Sequence, residues 1–181
     1  ITPADRTYLG SPVPTYTGGV NVGLTYKDFD LNMYVYASAG NKIWNQSKWF
    51  TDFYGTFEGS GKGERAKKSW TPALGNAAEA PIWESASNIS TSAAENSWYV
   101  EDGDYIRLQN ISLGYKLPKN VISKIGVKSA KLTLSANNLF TLTKYKGLDP
   151  GVGGAADTSF GIDVGNYPVT RSFNASINLN F

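Results

Sequence analysis

Val20, Val22, Leu24 and Tyr26 alternate with Asn21, Gly23 and Thr25. A period of two marks a strand with one face toward an apolar medium and one toward a polar one. Lys27-Asp28 reads as a tight turn. Beyond it, Phe29, Leu31, Met33, Val35 and Ala37 alternate with Asp30, Asn32, Tyr34, Tyr36 and Ser38. The two runs predict a hairpin of long strands. A third strand is expected from about Tyr105 to Tyr115, with Ile111, Leu113 and Tyr115 opposite Asn110, Ser112 and Gly114. Ile106 and Leu108 fall out of phase with that face, a slip that a bulge or a section packed against protein would absorb. The fourth runs from about Lys128 to Phe140, where Ala130, Leu132, Leu134 and Ala136 alternate with Lys131, Thr133, Ser135 and Asn137. The fifth covers 171 to 181, with Phe173, Ala175, Ile177, Leu179 and Phe181 opposite Asn174, Ser176, Asn178 and Asn180.

Between these strands the connections are uneven. Residues 1 to 17 read as an extended, proline-bearing loop. Residues 40 to 104 and 141 to 170 are far longer than the usual connection of about 4 to 6 residues. Residues 63 to 72 suit a short helix ended by Pro72, and 116 to 127 a one-turn helix. In an antiparallel meander the two long connections share one end and the turns at 27–28 and 116–127 share the other. Outer-membrane barrels have that asymmetry, with short periplasmic turns, long extracellular loops and aromatic girdles. Tyr26, Phe29, Tyr115 and Phe181 fall at the short-turn end. A soluble all-β carbohydrate-binding or adhesin module explains the alternation equally well, but needs no such layout. Five strands are fewer than the eight of the smallest membrane barrels, so the expected architecture is a segment of a larger one.

Composition sharpens the picture. Charged residues make up 18 % and aromatics 13 % of the 181 residues, less charge than the roughly 25 % of soluble domains. The faces opposite the apolar ones carry Asn, Ser, Thr, Gly and Tyr, which suits a barrel lumen. A net charge of +2 gives no electrostatic footprint for nucleic acid. The chain has no Cys and no His, so it lacks thiol chemistry and the commonest metal ligand and general base. No cofactor, metal or enzymatic activity is expected.

Four ordered blocks carry a family resemblance. WYVEDGDYIRLQNISLGYKLP (98–118) resembles a signature stretch near the end of the SusC/RagA-like TonB-dependent outer-membrane transporters. DRTYLGSPVPTYTGGVNVGLTYKDFDLNMYVYASAGNKIWN (5–45) is similar to the family's strand pair leading into a long extracellular loop. LTLSANNLFTLTKYKGLDP (132–150) resembles its penultimate strand, and GIDVGNYPVTRSFNASINLNF (161–181) its C-terminus. Residues 50 to 90 carry little of the likeness. The resemblance implies that residues 1–181 are the C-terminal segment of a 22-stranded, multi-pass barrel in the bacterial outer membrane, without its plug domain. It implies import of oligosaccharides or peptides with a SusD-like surface lipoprotein, powered through a TonB-type energy transducer. Further implied partners are the remainder of the barrel and plug, outer-membrane lipid and the barrel-insertion machinery, which would read Phe181 as an assembly signal.

The candidate contacts to solute or lipoprotein are the loop tryptophans Trp44, Trp49, Trp70 and Trp83, together with Arg107, which a lumen-facing position would offer to solute or plug. Loop packing is the competing reading of the tryptophans, and an ion pair between neighbouring strands that of Arg107. Asp102 and Asp104 flank Gly103 and read as the turn before a strand. Asp149, Asp157 and Asp163, set among glycines, read as loop chemistry in preference to a metal site.

Overall fold

A computed structural model describes residues 3–52, 63–82, 95–123, 126–151 and 159–181. The strands, in chain order, are β1 (Tyr16–Tyr26), β2 (Phe29–Ala39), β3 (Lys42–Asn45), β4 (Val100–Asp102), β5 (Tyr105–Lys116), β6 (Ser129–Thr143), β7 (Ile162–Asp163) and β8 (Ser172–Asn180). Two short helices are α1 (Ser47–Asp52) and α2 (Lys119–Ile122). The chain divides into two compact units. One holds residues 15–39, 104–144 and 169–181, and the other 1–14, 40–103 and 145–168.

The first unit is a five-stranded antiparallel sheet in the order β1-β2-β5-β6-β8. Antiparallel partners share a face, so the register turns the sequence alternation into continuous rungs. Leu24, Leu31, Leu113, Leu134 and Ala175 form one; Val22, Met33, Ile111, Ala136 and Phe173 form another. Between them lies the polar rung Gly23, Asn32, Ser112, Ser135 and Asn174. Val20, Leu24, Leu113, Leu134, Phe173 and Ile177 on the apolar face are exposed. An apolar surface of that extent is not left to water.

The out-of-phase residues of the third strand are absorbed by a stepped irregularity. Where β2 advances from Tyr34 to Val35, β5 advances from Asn110 to Leu108 and β6 from Asn137 to Phe140. Gln109 is the extra residue on β5. The bulge sets Ile106 and Leu108 in register with Ala37 and Val35, so the apolar face continues through the slip. On β6 the step uses Asn138 in the left-handed region (φ 51°), which asparagine tolerates better than most residues. Its side-chain amide donates to the Thr170 carbonyl at 3.1 Å. The neighbouring Asn137 takes part in a cross-strand ladder: Asn110 Nδ2 donates to Asn137 Oδ1 at 2.8 Å, and Asn137 Nδ2 to Ser172 Oγ at 2.9 Å.

β1 has eleven residues. At about 3.3 Å per residue it is ~36 Å long, or ~25 Å along the membrane normal at a tilt of about 45°. That matches the apolar band of about 25 Å on outer-membrane barrels. Tyr16 opens its apolar face and Tyr26 closes it. At the Tyr26 end the rung runs through Phe29, Tyr115, Leu132 and Ile177, and the Phe29 and Tyr115 rings stack at 4.5 Å.

The second unit gathers the N-terminal stretch and the two long connections around a three-stranded sheet in the order β4-β3-β7. The sequence pattern gave no sign of this sheet. Strands of four, three and two residues are too short for a period to appear. The helix expected within 63–72 is a 3-10 turn over Glu64–Lys68, followed by a parallel bridge between Ser69 and Ala80.

Candidate functional site

The loop unit is built on β3. Its Lys42 N–H donates to the Ser11 carbonyl at 2.8 Å, and its Trp44 N–H to the Gly161 carbonyl at 2.9 Å. All three segments of the unit therefore meet at β3. Ile43 and Tyr99 are fully buried there.

One carboxylate ties two of these segments together. Glu101 Oε1 accepts from Lys48 Nζ at 3.0 Å, and Oε2 from the Lys146 backbone N–H at 2.8 Å. Lys48 is 4 % exposed. Its ammonium also donates to the Trp98 carbonyl at 2.5 Å and lies 4.0 Å from the centre of the Trp98 ring. Burial holds the Lys48 pKa below its ordinary value, against the opposing pull of Glu101. A buried lysine is retained here because carboxylate, carbonyl and ring each replace part of the lost water.

Among the described residues, two carboxylates, Asp52 and Asp163, are fully buried, and both are structural. Asp52 receives Arg65 Nε at 3.0 Å and Nη2 at 3.2 Å, a fork that fits both oxygens. Asp163 Oδ1 accepts the backbone N–H groups of Gly165 at 2.9 Å and Asn166 at 3.3 Å, while Oδ2 accepts the Tyr145 hydroxyl at 2.6 Å. Burial, reinforced by the Asp163 carboxylate, raises the Tyr145 pKa, so the phenol stays protonated and donates. Asp163 is thus a turn-former in a packed loop, and Asp149 makes a similar local turn, accepting the Gly151 N–H at 2.8 Å. Asp102 pairs with Lys42, and the Gly103 N–H donates to the Asn41 carbonyl at 2.9 Å.

Among the described residues the expected aromatic contacts do not form one cluster. Trp44 packs on Tyr99 with ring centres 5.0 Å apart, and its indole N–H donates to Gln46 Oε1 at 2.7 Å. Trp49 lies against Phe50 at 5.4 Å. Trp70 is 42 % exposed and held through its backbone N–H to the Ala80 carbonyl. Trp83 and Asp157 lie outside the described residues. Sequence reasoning passed over Glu101, Lys48, Asp52 and Trp98. The lone signal for the first was its place in the EDGDY stretch; their partners come from distant segments.

In the sheet unit, the register puts Arg107 in line with Tyr36 and Thr141, on the polar face. Its Nε donates to Thr141 Oγ1 at 2.9 Å and its guanidinium stands over the Tyr105 ring at 5.0 Å. Tyr36 and Tyr105 lie 5.9 Å apart. Near the opposite strand ends, Asp30 and Lys131 pair at 2.8 Å across the intervening Gly114. The polar face thus carries tyrosines and the buried Arg107 guanidinium (5 % exposed) toward the long-connection end, amides in the middle and one ion pair toward the short turns. Groups of these types suit hydrogen bonding to polar molecules, and among the described residues none forms a nucleophile–base pair.

No family model matches the chain. TonB-dependent receptor P3 of Formosa agariphila is 36 % identical over 195 aligned positions, covering 100 % of this chain and 18 % of that protein. The TonB-dependent receptor SusC of Bacteroides thetaiotaomicron is 27 % identical over 91 % of this chain and 15 % of its own length. The solved structure of the RagAB peptide importer in its closed-closed state superposes with a TM-score of 0.75 at 26 % identity, over 96 % of this chain and 18 % of that one. The chain therefore spans less than a fifth of the relatives it matches. They are receptors and transporters, not enzymes. Over its whole length, therefore, the chain is homologous to a barrel segment of TonB-dependent receptors, SusC among them, and it shares the antiparallel sheet of the RagAB importer.

Proposed function

We propose that the chain forms part of the wall of an outer-membrane nutrient importer. The observation that carries this reading is the exposed apolar face, about 25 Å tall and bounded by aromatics, backed by an amide- and tyrosine-rich face. The first face meets lipid and the second lines the lumen. Residues 40–104 and 141–170 then lie outside the cell, and help form a solute chamber with a SusD-like lipoprotein. A peptide, as for the RagAB importer, and an oligosaccharide, as the family resemblance implies, stand equally open; either brings hydroxyls, amides and apolar faces suited to Tyr36 and Tyr105, with the buried Arg107 holding Tyr105 and Thr141 behind the contact. Among the described loop tryptophans Trp70 is the most exposed, and we assign it, with Trp49 and Trp83, to solute or lipoprotein contact. Trp44 supports the loop core.

Cysteine substitution in the full-length transporter tests the sidedness. Leu24, Leu113, Leu134 and Ile177 positions should react with a lipid-soluble maleimide, and Asn32, Ser112, Ser135 and Asn174 positions with a water-soluble one. Exchanged preferences would overturn the assignment.

Phe181 extends the apolar face beyond Leu179 and is 70 % exposed. We propose that it serves barrel assembly, not solute passage. Its ring contributes at most roughly 1.5 to 3 kcal/mol of burial, little for a whole barrel. Phe181→Ala should lower the amount of inserted transporter more than the uptake per inserted molecule. Full insertion with reduced uptake per molecule would place the residue's role elsewhere.

A further inference from the structure

The β5–β6 connection turns back onto the apolar side of the sheet. Leu117 continues the phase of Leu113 and Tyr115, and its N–H donates to the carbonyl of Ala130 at 2.9 Å. Ala130 shares the apolar phase of Leu132 and Leu134 and stands in register with Leu179. Ile122 of α2 and Val127 bury themselves on Ala130, with Leu117 packed alongside. A connection with a purely aqueous role has no need to cover the apolar side. Beside this small core, Val121 remains 55 % exposed and Lys119 is exposed.

Cations recur along the same rim, next to the aromatics that close the apolar face. Lys27 occupies the left-handed region (φ 53°), where glycine is the ordinary choice, and its ammonium lies 5.3 Å from the centre of the Tyr26 ring. Lys128 donates to a Phe181 carbonyl oxygen at 2.9 Å. Aromatic ring, apolar side chain and ammonium are what the boundary between acyl chains and phosphates calls for.

We propose that the rim formed by Lys27, Lys119, Lys128 and the Val121 turn is a binding surface for anionic phospholipid headgroups. Val121 and the aromatics enter the acyl boundary, and the ammonium groups take the phosphates. The proposal rests on the barrel reading, and its test separates the two.

The test uses full-length transporter with a single cysteine at position 121, 29, 134 or 32, labelled with bimane. It is reconstituted in phosphatidylcholine vesicles doped with lipid that carries a nitroxide near the glycerol. The nitroxide lipid bears either a phosphatidylglycerol or a phosphatidylcholine headgroup. Positions 29 and 134 should be quenched by lipid and position 32 should not; failure there sinks the barrel reading itself. With that satisfied, position 121 should be quenched more by the phosphatidylglycerol form, with a preference of up to roughly fivefold per engaged lysine at low salt. Lys27→Gln, Lys119→Gln and Lys128→Gln together should remove the preference while positions 29 and 134 stay quenched. Absence of lipid quenching at 121 would overturn the proposal, as would equal quenching by both headgroups or a preference that survives the three substitutions.

Discussion

Gly114 shows how one missing side chain places two others. A Cβ there would come within 2.5 Å of Lys131 Cε and 2.6 Å of the Asp30 carboxylate, so the ion pair crosses β5 only because the residue between is glycine. Two opposing effects attend Gly114→Ala. Loss of a partly exposed ion pair costs about 0.2 to 1 kcal/mol, and the stiffer unfolded chain returns roughly 0.4 to 1 kcal/mol. Net stability should therefore change by less than about 1 kcal/mol. The coupling between Asp30→Asn and Lys131→Gln, measured by a double-mutant cycle in reversible barrel unfolding, should fall to near zero in the Gly114→Ala background. Undiminished coupling would show that the pair does not need the glycine. At this scale the sequence was least legible. Trp44 and Arg107 attract notice by their chemistry, whereas Glu101 and Asp163 acquire their meaning from partners that only folding brings close: the Lys146 N–H, 45 residues along from Glu101, and the Tyr145 hydroxyl.

The five long strands were legible because they repeat a period-two pattern over nine to fifteen residues, and because each alternation matches its neighbours rung by rung. β3, β4 and β7 were not, since their positions depend on hydrogen bonds between distant segments. Between these extremes lies the phase slip of β5. Gln109 is the residue the bulge absorbs, and its removal joins Leu108 to Asn110 with apolar and polar residues still alternating. Deleting Gln109 should therefore leave Ile106 on the lipid face and Arg107 on the polar face. Deleting Ser112 places Ile111 and Leu113 side by side and drives every residue on one side of the cut to the wrong face. With the upper half of β5 reversed, Arg107 would meet lipid, at roughly 2 to 4 kcal/mol near the midplane and less toward the interface. Surface-exposed transporter, measured by protease shaving, should be near normal for the first deletion and much reduced for the second. Equal loss in both would mean that the bulge itself is needed and does not merely accommodate an extra residue.

At the scale of the molecule, the decisive feature is what the sheet leaves open. Among the described residues nothing pairs with the outer edges of β1 and β8. In water, an edge strand can bond to solvent. In hydrocarbon, each unpaired backbone group costs several kcal/mol, and β1 alone crosses the apolar band with eleven residues. Only closure by further strands removes that cost, which agrees with a chain spanning 18 % of its relatives. Backbone geometry supplies the test. Along an antiparallel edge strand, alternate N–H groups point toward the neighbour and away from it. If β1 lies within a closed barrel, every amide from Val20 to Thr25 in the full-length transporter should resist hydrogen exchange as strongly as those of β2. If the edge is genuine, only alternate amides should be protected and the rest should exchange quickly wherever water reaches them. Residue-resolved exchange on the transporter in lipid vesicles distinguishes the two at the amides that water reaches, where uniform protection requires a strand on each side of β1. An alternating pattern that persisted in the intact transporter would show that this sheet ends at β1, and the barrel reading would fall with it.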